Sequence, residues 1–390
     1  MRTQVGIIGA GPSGLLLSQL LAAEGIDSII VEDRSQEYVE ARIRAGVIEH
    51  DAVRTLTAAG VAERLHAEGM RHDGIYLNWP GERHHIDFPE LCGQSVWVYG
   101  QTELTKDMFR IRAEAGQQIH FEASDVHIED PLGSSRVTFT DKDGAAQVIE
   151  CEVVAGCDGF HGVSRETIPE SVRTVWQRVY PFAWLGILAE VAPSTDELIY
   201  AWHPEGFALH SMRSHSISRL YVQVAPDDDI ANWPDDRVWE ALSTRLAHDG
   251  WMLQSGPTLE KGITPMRSFV NAPMRYGNIF LAGDAAHIVP PTGAKGLNLA
   301  INDVTLLSRA LSRKLNEGQD DLIDAYSDAA LRRVWRATHF SWWMTSMLHV
   351  DHADPDADFM RQMQLSQLRY VTSSTAAATS LAENYTGYAV

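Results

Sequence analysis

Two kinds of apolar pattern divide the chain. Short runs of adjacent apolar residues predict buried strands, and apolar positions three or four apart predict helices with one covered face. Val5-Gly6-Ile7-Ile8 is a run of the first kind. After Gly9-Ala10-Gly11-Pro12-Ser13-Gly14, leucines at 15, 16, 17, 20 and 21 predict a buried helix ending near Gly25. Ser28-Ile29-Ile30-Val31 is a second strand, with Glu32 at its end. Val153-Val154-Ala155-Gly156 and Ile279-Phe280-Leu281 repeat the strand pattern, and Leu297, Ala300, Ile301, Val304, Leu307 and Leu311 repeat the helical one. Between them, Ile199, Tyr200, Leu209, Ser211, Met212, Arg213, Leu220 and Tyr221 alternate across short runs, as in an antiparallel sheet with one face toward a pocket.

The first unit carries chemistry. A G-x-G-x-x-G turn between a strand and a helix binds a dinucleotide: Gly9 permits the tight turn, Gly11 lets backbone approach a pyrophosphate, and Gly14 lets helix and strand pack closely. The helix start, with Ser13 in it, offers unpaired N–H groups to phosphate, and Glu32 can accept from a ribose diol. NAD and FAD fit this unit equally. Two further segments follow predicted strands: Cys157-Asp158-Gly159-Phe160-His161-Gly162-Val163-Ser164-Arg165, and Leu281-Ala282-Gly283-Asp284-Ala285-Ala286-His287. An aspartate at such a place either binds a ribityl or ribose hydroxyl or caps a helix. The Pro- and Gly-rich loop from Pro290 to Gly296 then leads into the next helix, whose N-terminus can stabilise negative charge on a reduced flavin.

Together these three motifs resemble the class A flavoprotein aromatic hydroxylases. The likeness extends over nearly the whole chain, through Arg42-Ile43-Arg44-Ala45-Gly46, Val98-Tyr99-Gly100-Gln101-Thr102-Glu103, Pro290 to Asn298, and Ala382-Glu383-Asn384-Tyr385. It implies an α/β fold: a Rossmann-like FAD-binding domain from residues 1–73, 97–175 and 268–345, interleaved with a β-sheet substrate domain from 74–96 and 176–267. A helical C-terminal segment, 346–390, closes the site.

The resemblance implies hydroxylation of 4-hydroxybenzoate to 3,4-dihydroxybenzoate with FAD, NADH or NADPH, and O2, through a flavin C4a-hydroperoxide. A related benzoate (4-aminobenzoate or 3-hydroxybenzoate) and a flavin reductase without oxygenase chemistry are the alternatives. Ser211, Arg213 and Tyr221 correspond to the substrate carboxylate's partners; from the residues alone, Arg213 serves equally well in a surface salt bridge. Tyr200 and Tyr385 correspond to the tyrosines that contact the phenol and carry its proton away, and His72 to the group that passes it to solvent. The backbone carbonyl of Pro291 corresponds to one near the reacting centre. Arg44, Gln101, Asp158, Asp284, Lys295, Gly296, Leu297 and Asn298 correspond to flavin contacts, and Arg42, His161, Arg165 and Arg267 to nicotinamide-nucleotide contacts. In the segment with Arg34 and Tyr38, Asp33 stands where NADPH-using members commonly carry arginine. A carboxylate there repels a 2′-phosphate, so NADH is the expected preference.

Composition narrows the rest. With 32 basic and 52 acidic residues among 390, the formal charge is −20, which argues against nucleic acid as a partner. Three cysteines, Cys92, Cys151 and Cys157, form no disulfide framework and no redox pair, and fit a cytoplasmic setting. No apolar run is long enough to span a bilayer, and no signal peptide is evident. His349, Asp351, His352, Asp354, Asp356 and Asp358 suggest a metal cluster, but position 6 counted from Asp354 is Phe359 and position 12 is Leu365. That breaks the calcium-loop pattern, and a solvated acidic turn without metal is expected. Trp335, Trp342, Trp343, Met344, Met347 and Leu348 form a dense apolar stretch, expected in the core with any exposed part at a homodimer contact.

Overall fold

A computed structural model describes residues 1–42 and 46–387. The first βα unit forms as its pattern dictates: strand Arg2–Ile8, helix Pro12–Ala23, strand Ser28–Val31. The three branched residues Val5, Ile7 and Ile8 and the helix leucines 15, 16, 17 and 21 are all buried. Strand Arg2–Ile8 lies parallel to Ala146–Gly156 on one side and to Ser28–Val31 on the other. Ile279–Leu281 extends the parallel region beyond Ala146–Gly156, and Ile119–His120 extends it beyond Ser28–Val31. Parallel neighbours require crossovers, and the helices that make them cover the sheet. The Pro12–Ala23 helix packs against Gly296–Glu317, the long helix that follows the Pro/Gly loop.

A second eight-stranded sheet crosses the chain order. From one edge to the other it runs His287–Ile288, Thr258–Ala272, Thr174–Ala189, Ile217–Val224, Ala208–Ser214, Leu198–Ala201, Gly74–Trp79 and Glu82–Asp87. Chain segments 74–87, 174–272 and 287–288 therefore meet in one sheet, while segments 2–31, 119–156 and 275–281 build the first. This is the mixed α/β architecture expected, with a Rossmann-like unit interleaved with a mainly antiparallel sheet. A small third sheet, Val47–Ile48, Val96–Val98 and Met70–His72, bridges them. Its strands of two and three residues are too short to show a period.

The last helices, Asp321–Leu348, Ala357–Ser373 and Thr375–Thr386, pack over the second sheet, and their residues Phe340, Met344, Leu368, Leu381 and Tyr385 join its core. The apolar stretch on Asp321–Leu348 divides: Met344, Met347 and Leu348 are buried, whereas Trp335 and Trp342 remain exposed. The acidic turn needs one correction. His349 is not on a solvated surface; it is buried, accepts a 2.7 Å hydrogen bond from Trp184 Nε1, and stacks between Phe182 and Phe207. Among the described residues no helix is long and apolar enough to cross a membrane.

Candidate active site

The glycines of the first turn are held by geometry. Gly9 sits at φ +102°, where a side chain would strain the backbone and press within 2.4 Å of the Cys157 carbonyl. A Cβ on Gly14 would lie 2.0 Å from the Gly9 carbonyl. At Gly11 a Cβ would meet nothing within 4 Å, so what this glycine leaves open is approach from outside the chain. No side chain caps the helix that starts at Pro12, so its first N–H groups are available to an anion. Glu32 Oε2 accepts from Ala10 N at 2.6 Å and Oε1 from Arg34 N at 3.0 Å. Burial pushes the Glu32 carboxyl up to about 7, with Asp33 adding to the rise. Ser13 Oγ lies beside Gly283, and Asp284 is exposed on the Gly283–Ala285 turn. An open glycine turn, an uncapped helix start and an acidic strand end fit a dinucleotide.

A second opening lies between the bridging sheet, the second sheet and the Pro290–Gly296 loop. Its free volume is about 30 Å³, and Gly46, Val47, Tyr200, Ser211, Arg213 and Tyr221 line it together with Pro291 and Ala294. The antiparallel register explains the convergence: Tyr200 is paired with Leu209, Leu209 with Tyr221, and Ser211 with Arg219. Arg219 also lines this pocket and donates from Nε to the Tyr221 hydroxyl at 3.3 Å. Its Nη1 is buried without a hydrogen-bond partner. Sequence reasoning passed over Arg219, although its spacing of two from Tyr221 places both on one face. Trp184, on the neighbouring strand, completes the wall. Burial holds the Arg213 guanidinium below its ordinary pKa, opposed by Tyr221 and reinforced by Arg219; it stays charged, because guanidinium does not deprotonate in proteins.

Tyr200 lines the same pocket as these cations, and its hydroxyl lies 2.8 Å from that of Tyr385 in the core. Burial drives both phenols well above the usual tyrosine range. Lys295 Nζ holds the Tyr385 carbonyl at 2.9 Å and pairs with Glu49 at 2.5 Å, all of it buried. Asn298 accepts from Glu49 N at 2.9 Å and donates to the carbonyls of Val47 and Ala294. Glu49 is thus a second residue that the sequence did not mark. Gly296, Leu297 and Asn298 form the first turn of Gly296–Glu317, which also starts without a side-chain cap. A helix N-terminus beside the pocket suits the electron-rich edge of a flavin. Gln101 opens the helix Gln101–Glu114.

The remaining candidates fall into separate places. His72, on Met70–His72, is buried, and neither ring nitrogen has a hydrogen-bond partner. Burial lowers it to about 4, against the pull of Asp196 and Asp73. No hydrogen bond joins it to either tyrosine among the described residues. Asp158 turns inward: Oδ2 accepts from Ser164 N at 2.8 Å and Ser164 Oγ at 2.9 Å, capping the short helix Ser164–Thr167. Its other oxygen, Oδ1, is buried without a partner. Arg165 and Arg267 converge on the Phe160 ring, at 4.8 and 3.8 Å from its centroid, and His161 meets the same ring edge-on at 5.0 Å. Phe160, unmarked in the sequence, organises that cluster. Asp33, Arg34 and Tyr38 sit together on the surface, with Asp33 and Arg34 paired at 3.4 Å and Arg34 over the Tyr38 ring. Arg42 ends the helix Gln36–Ala41, and its carbonyl accepts from Thr102. Arg44 lies outside the described residues.

A dinucleotide-binding βαβ unit joined to an aromatic- and arginine-lined pocket defines a flavin-dependent oxidoreductase. The family described as FAD binding domain matches residues 2–341; the chain belongs to that family and is a flavoprotein monooxygenase of the p-hydroxybenzoate hydroxylase type. It is 49% identical over 389 residues to p-hydroxybenzoate hydroxylase of Acinetobacter baylyi, covering 99% of this chain and 96% of that one. A probable NADH-specific resorcinol 4-hydroxylase of Rhodococcus jostii is 25% identical over 83% of this chain and 61% of its own. In fold, the chain is similar to the crystal structure of p-nitrophenol 4-monooxygenase from Pseudomonas putida, with a TM-score of 0.85 over the full length of both and 18% identity.

Proposed function

We propose that this monooxygenase hydroxylates 4-hydroxybenzoate next to its hydroxyl group, giving 3,4-dihydroxybenzoate, with O2 and a nicotinamide nucleotide as co-substrates. The observation that carries the reading is the meeting of two chemistries at one pocket: Tyr200, hydrogen-bonded to Tyr385, lines it together with Ser211, Arg213, Arg219 and Tyr221. A planar substrate with a carboxylate at one end and a phenol at the other satisfies both.

Gly9, Gly11, Ser13, Gly14, Glu32 and Asp284 would hold the FAD chain, with Gln101, Lys295, Gly296, Leu297 and Asn298 near its ring system. Bound FAD supplies electron transfer from the nicotinamide and activation of dioxygen. The protein's own part is to make the ring a nucleophile. A free phenol has a pKa near 10, and its phenolate is the reactive form. Tyr200 and Tyr385 keep their own protons, since burial raises both. They therefore act as a hydroxyl chain: Tyr200 takes the substrate proton as it passes its own to Tyr385. His72 takes its place further along on the family resemblance alone; burial disfavours its charged form, so it would pass the proton on rather than hold it. Pro291 is at the pocket wall, and its backbone carbonyl would meet the ring. The tight, apolar surroundings exclude water, which protects the oxidising equivalent from loss as peroxide.

His161, Arg165 and Arg267 would meet the nicotinamide nucleotide together with Arg42, and Asp33 favours NADH over NADPH. The exposed Trp176–Trp335 pair, edge-to-face at 5.3 Å, supports a homodimer contact. Three free cysteines support a cytoplasmic setting. One experiment tests the reaction. Purified FAD-loaded enzyme is mixed with NADH, O2 and a panel of benzoates, and products are weighed by mass spectrometry. The expected result is 3,4-dihydroxybenzoate from 4-hydroxybenzoate; product from another benzoate only, or none, overturns the assignment.

A further inference from the structure

A larger cavity, about 260 Å³, opens on the other side of Lys295 and shares no lining residue with the Tyr200 pocket. Its wall carries four cations: Lys295, Arg332, Arg333 and Arg336. In a chain with 20 more acidic than basic residues, this is a local inversion of charge. Among the described residues the only carboxylate in the lining is Glu49, which is already bonded to Lys295. The other acids that act on these groups are largely committed too: Asp51 pairs with Arg54, Asp303 with His287, and Glu383 pulls on Arg336 from outside the lining. Arg333 and Arg336 each have interactions within the chain, so what matters is the surplus of positive charge around one opening.

That surplus is costly. Arg332, Arg333 and Arg336 crowd one face of Asp321–Leu348 at separations of three and four residues, where like charges destabilise a helix. Arg333 and Arg336 also repel Lys295. Leu299, Ala337 and Phe340 add an apolar surface to the lining, and Asn302 and Asn384 add two amides. A lining that combines cations with apolar residues matches an anion with a flat apolar body. The volume is many times the ~30 Å³ share of one water.

We propose that this cavity is a second binding site, for a one-ring aromatic carboxylate, separate from the Tyr200–Tyr385 pocket. The carboxylate lies among the arginines and the ring against Leu299, Ala337 and Phe340. An occupant adds negative charge beside Lys295, which holds the Tyr385 carbonyl, so filling the site reaches the hydroxyl pair through one side chain. The proposal stands independently of the reaction assigned to the other pocket.

The test is titration of the FAD-loaded enzyme with 4-fluorobenzoate, followed by fluorine NMR and calorimetry. The wild-type chain is expected to bind two molecules. Arg332→Gln combined with Arg336→Gln should weaken one of them at least tenfold and leave the other, with an unchanged flavin absorbance spectrum showing that the fold and FAD site are intact. Arg213→Lys should weaken only the other. If the Arg332→Gln/Arg336→Gln enzyme keeps both sites at wild-type affinity, the proposal falls. It also falls, in its aromatic part, if sulfate at equal concentration displaces the probe as well as unlabelled benzoate does. If instead Arg213→Lys changes nothing while the double variant loses a site, the second site stands and the reading of the Tyr200 pocket fails.

Discussion

Tyr200 on a sheet strand and Tyr385 on the last helix share a 2.8 Å hydroxyl contact although 185 residues separate them. Either oxygen can donate, so the pair transmits a proton only if both hydroxyls remain. Tyr200→Phe is expected to leave nicotinamide-dependent flavin reduction within a few-fold of wild type. Hydroxylation should fall by about two orders of magnitude, in line with the loss of a positioned acid–base group. Reducing equivalents then emerge as hydrogen peroxide. Parallel assays of nucleotide oxidation, peroxide and product measure this, and tight coupling in the variant would remove Tyr200 from the relay.

Arg213 and Arg219 face the same pocket, and their charges act on each other. A substrate carboxylate beside them is expected to relieve that repulsion. Arg213→Lys replaces a two-toothed fork with a point charge. Substrate binding should weaken by about 1.5–3 kcal/mol, the range of a hydrogen bond to a charged group, which is roughly a ten- to hundredfold rise in Kd. Arg219→Lys should do the same. Flavin absorbance titration reads both, and an unchanged Kd for either variant takes that arginine out of the site.

Glu49 and Lys295 neutralise each other inside the protein. Glu49→Gln keeps the shape but leaves an ammonium in a place where burial already disfavours its charge. The expected cost is about 3 kcal/mol of stability, as for other buried pairs that lose one partner. It should appear as a lower denaturant midpoint at pH 7, and the deficit should shrink at higher pH, where Lys295 can lose its proton. A deficit that does not vary with pH would mean that lost packing, not the stranded charge, is responsible.

How far these sites could be read from the chain depended on distance along it. Gly9, Gly14 and Glu32 act within one βαβ unit, so spacing alone exposed their roles; the structure adds the 2.0 Å and 2.4 Å approaches that make glycine obligatory. Tyr200 and Tyr385 are ordinary aromatic residues in their local patterns, and only the family resemblance marked them. Glu49 pairs across 246 residues, which no local pattern records. Arg219 was legible by its spacing from Tyr221, but an arginine on an alternating strand reads as surface until its register is known. His349 was read with the acids that follow it, because sequence neighbours hide the turn of a helix end that sends it inward to Trp184.

Three buried histidines link this core to pH. His72 and His210 are lowered to about 4 and His349 to about 3, in each case mainly by burial. Their unfolded value is near 6.5. Between the folded and unfolded values the unfolded chain binds more protons, so stability rises with pH there. The stabilisation is complete above pH 6.5 and is lost as pH falls toward 4, with each histidine contributing on the order of 3 kcal/mol. Urea midpoints should therefore drop between pH 7 and pH 5. His72→Asn should flatten part of that slope; a midpoint flat over this interval in the wild type contradicts the assignment.

On the surface, Asp33 pairs with Arg34, and both are more than half exposed. Exposed charges a few ångströms apart interact by about 1 kcal/mol, so one carboxylate is expected to create only a modest preference. Asp33→Ser removes a negative charge and frees Arg34 for a 2′-phosphate. The kcat/KM for NADPH relative to NADH should rise about fivefold, and the rise should shrink in high salt as screening increases. Glu37, exposed on the helix Gln36–Ala41 that follows, is expected to keep a residual bias toward NADH. Steady-state kinetics with both nucleotides at two ionic strengths checks this; a wild-type enzyme that strongly prefers NADPH, or a ratio unmoved by Asp33→Ser, rules out the electrostatic account.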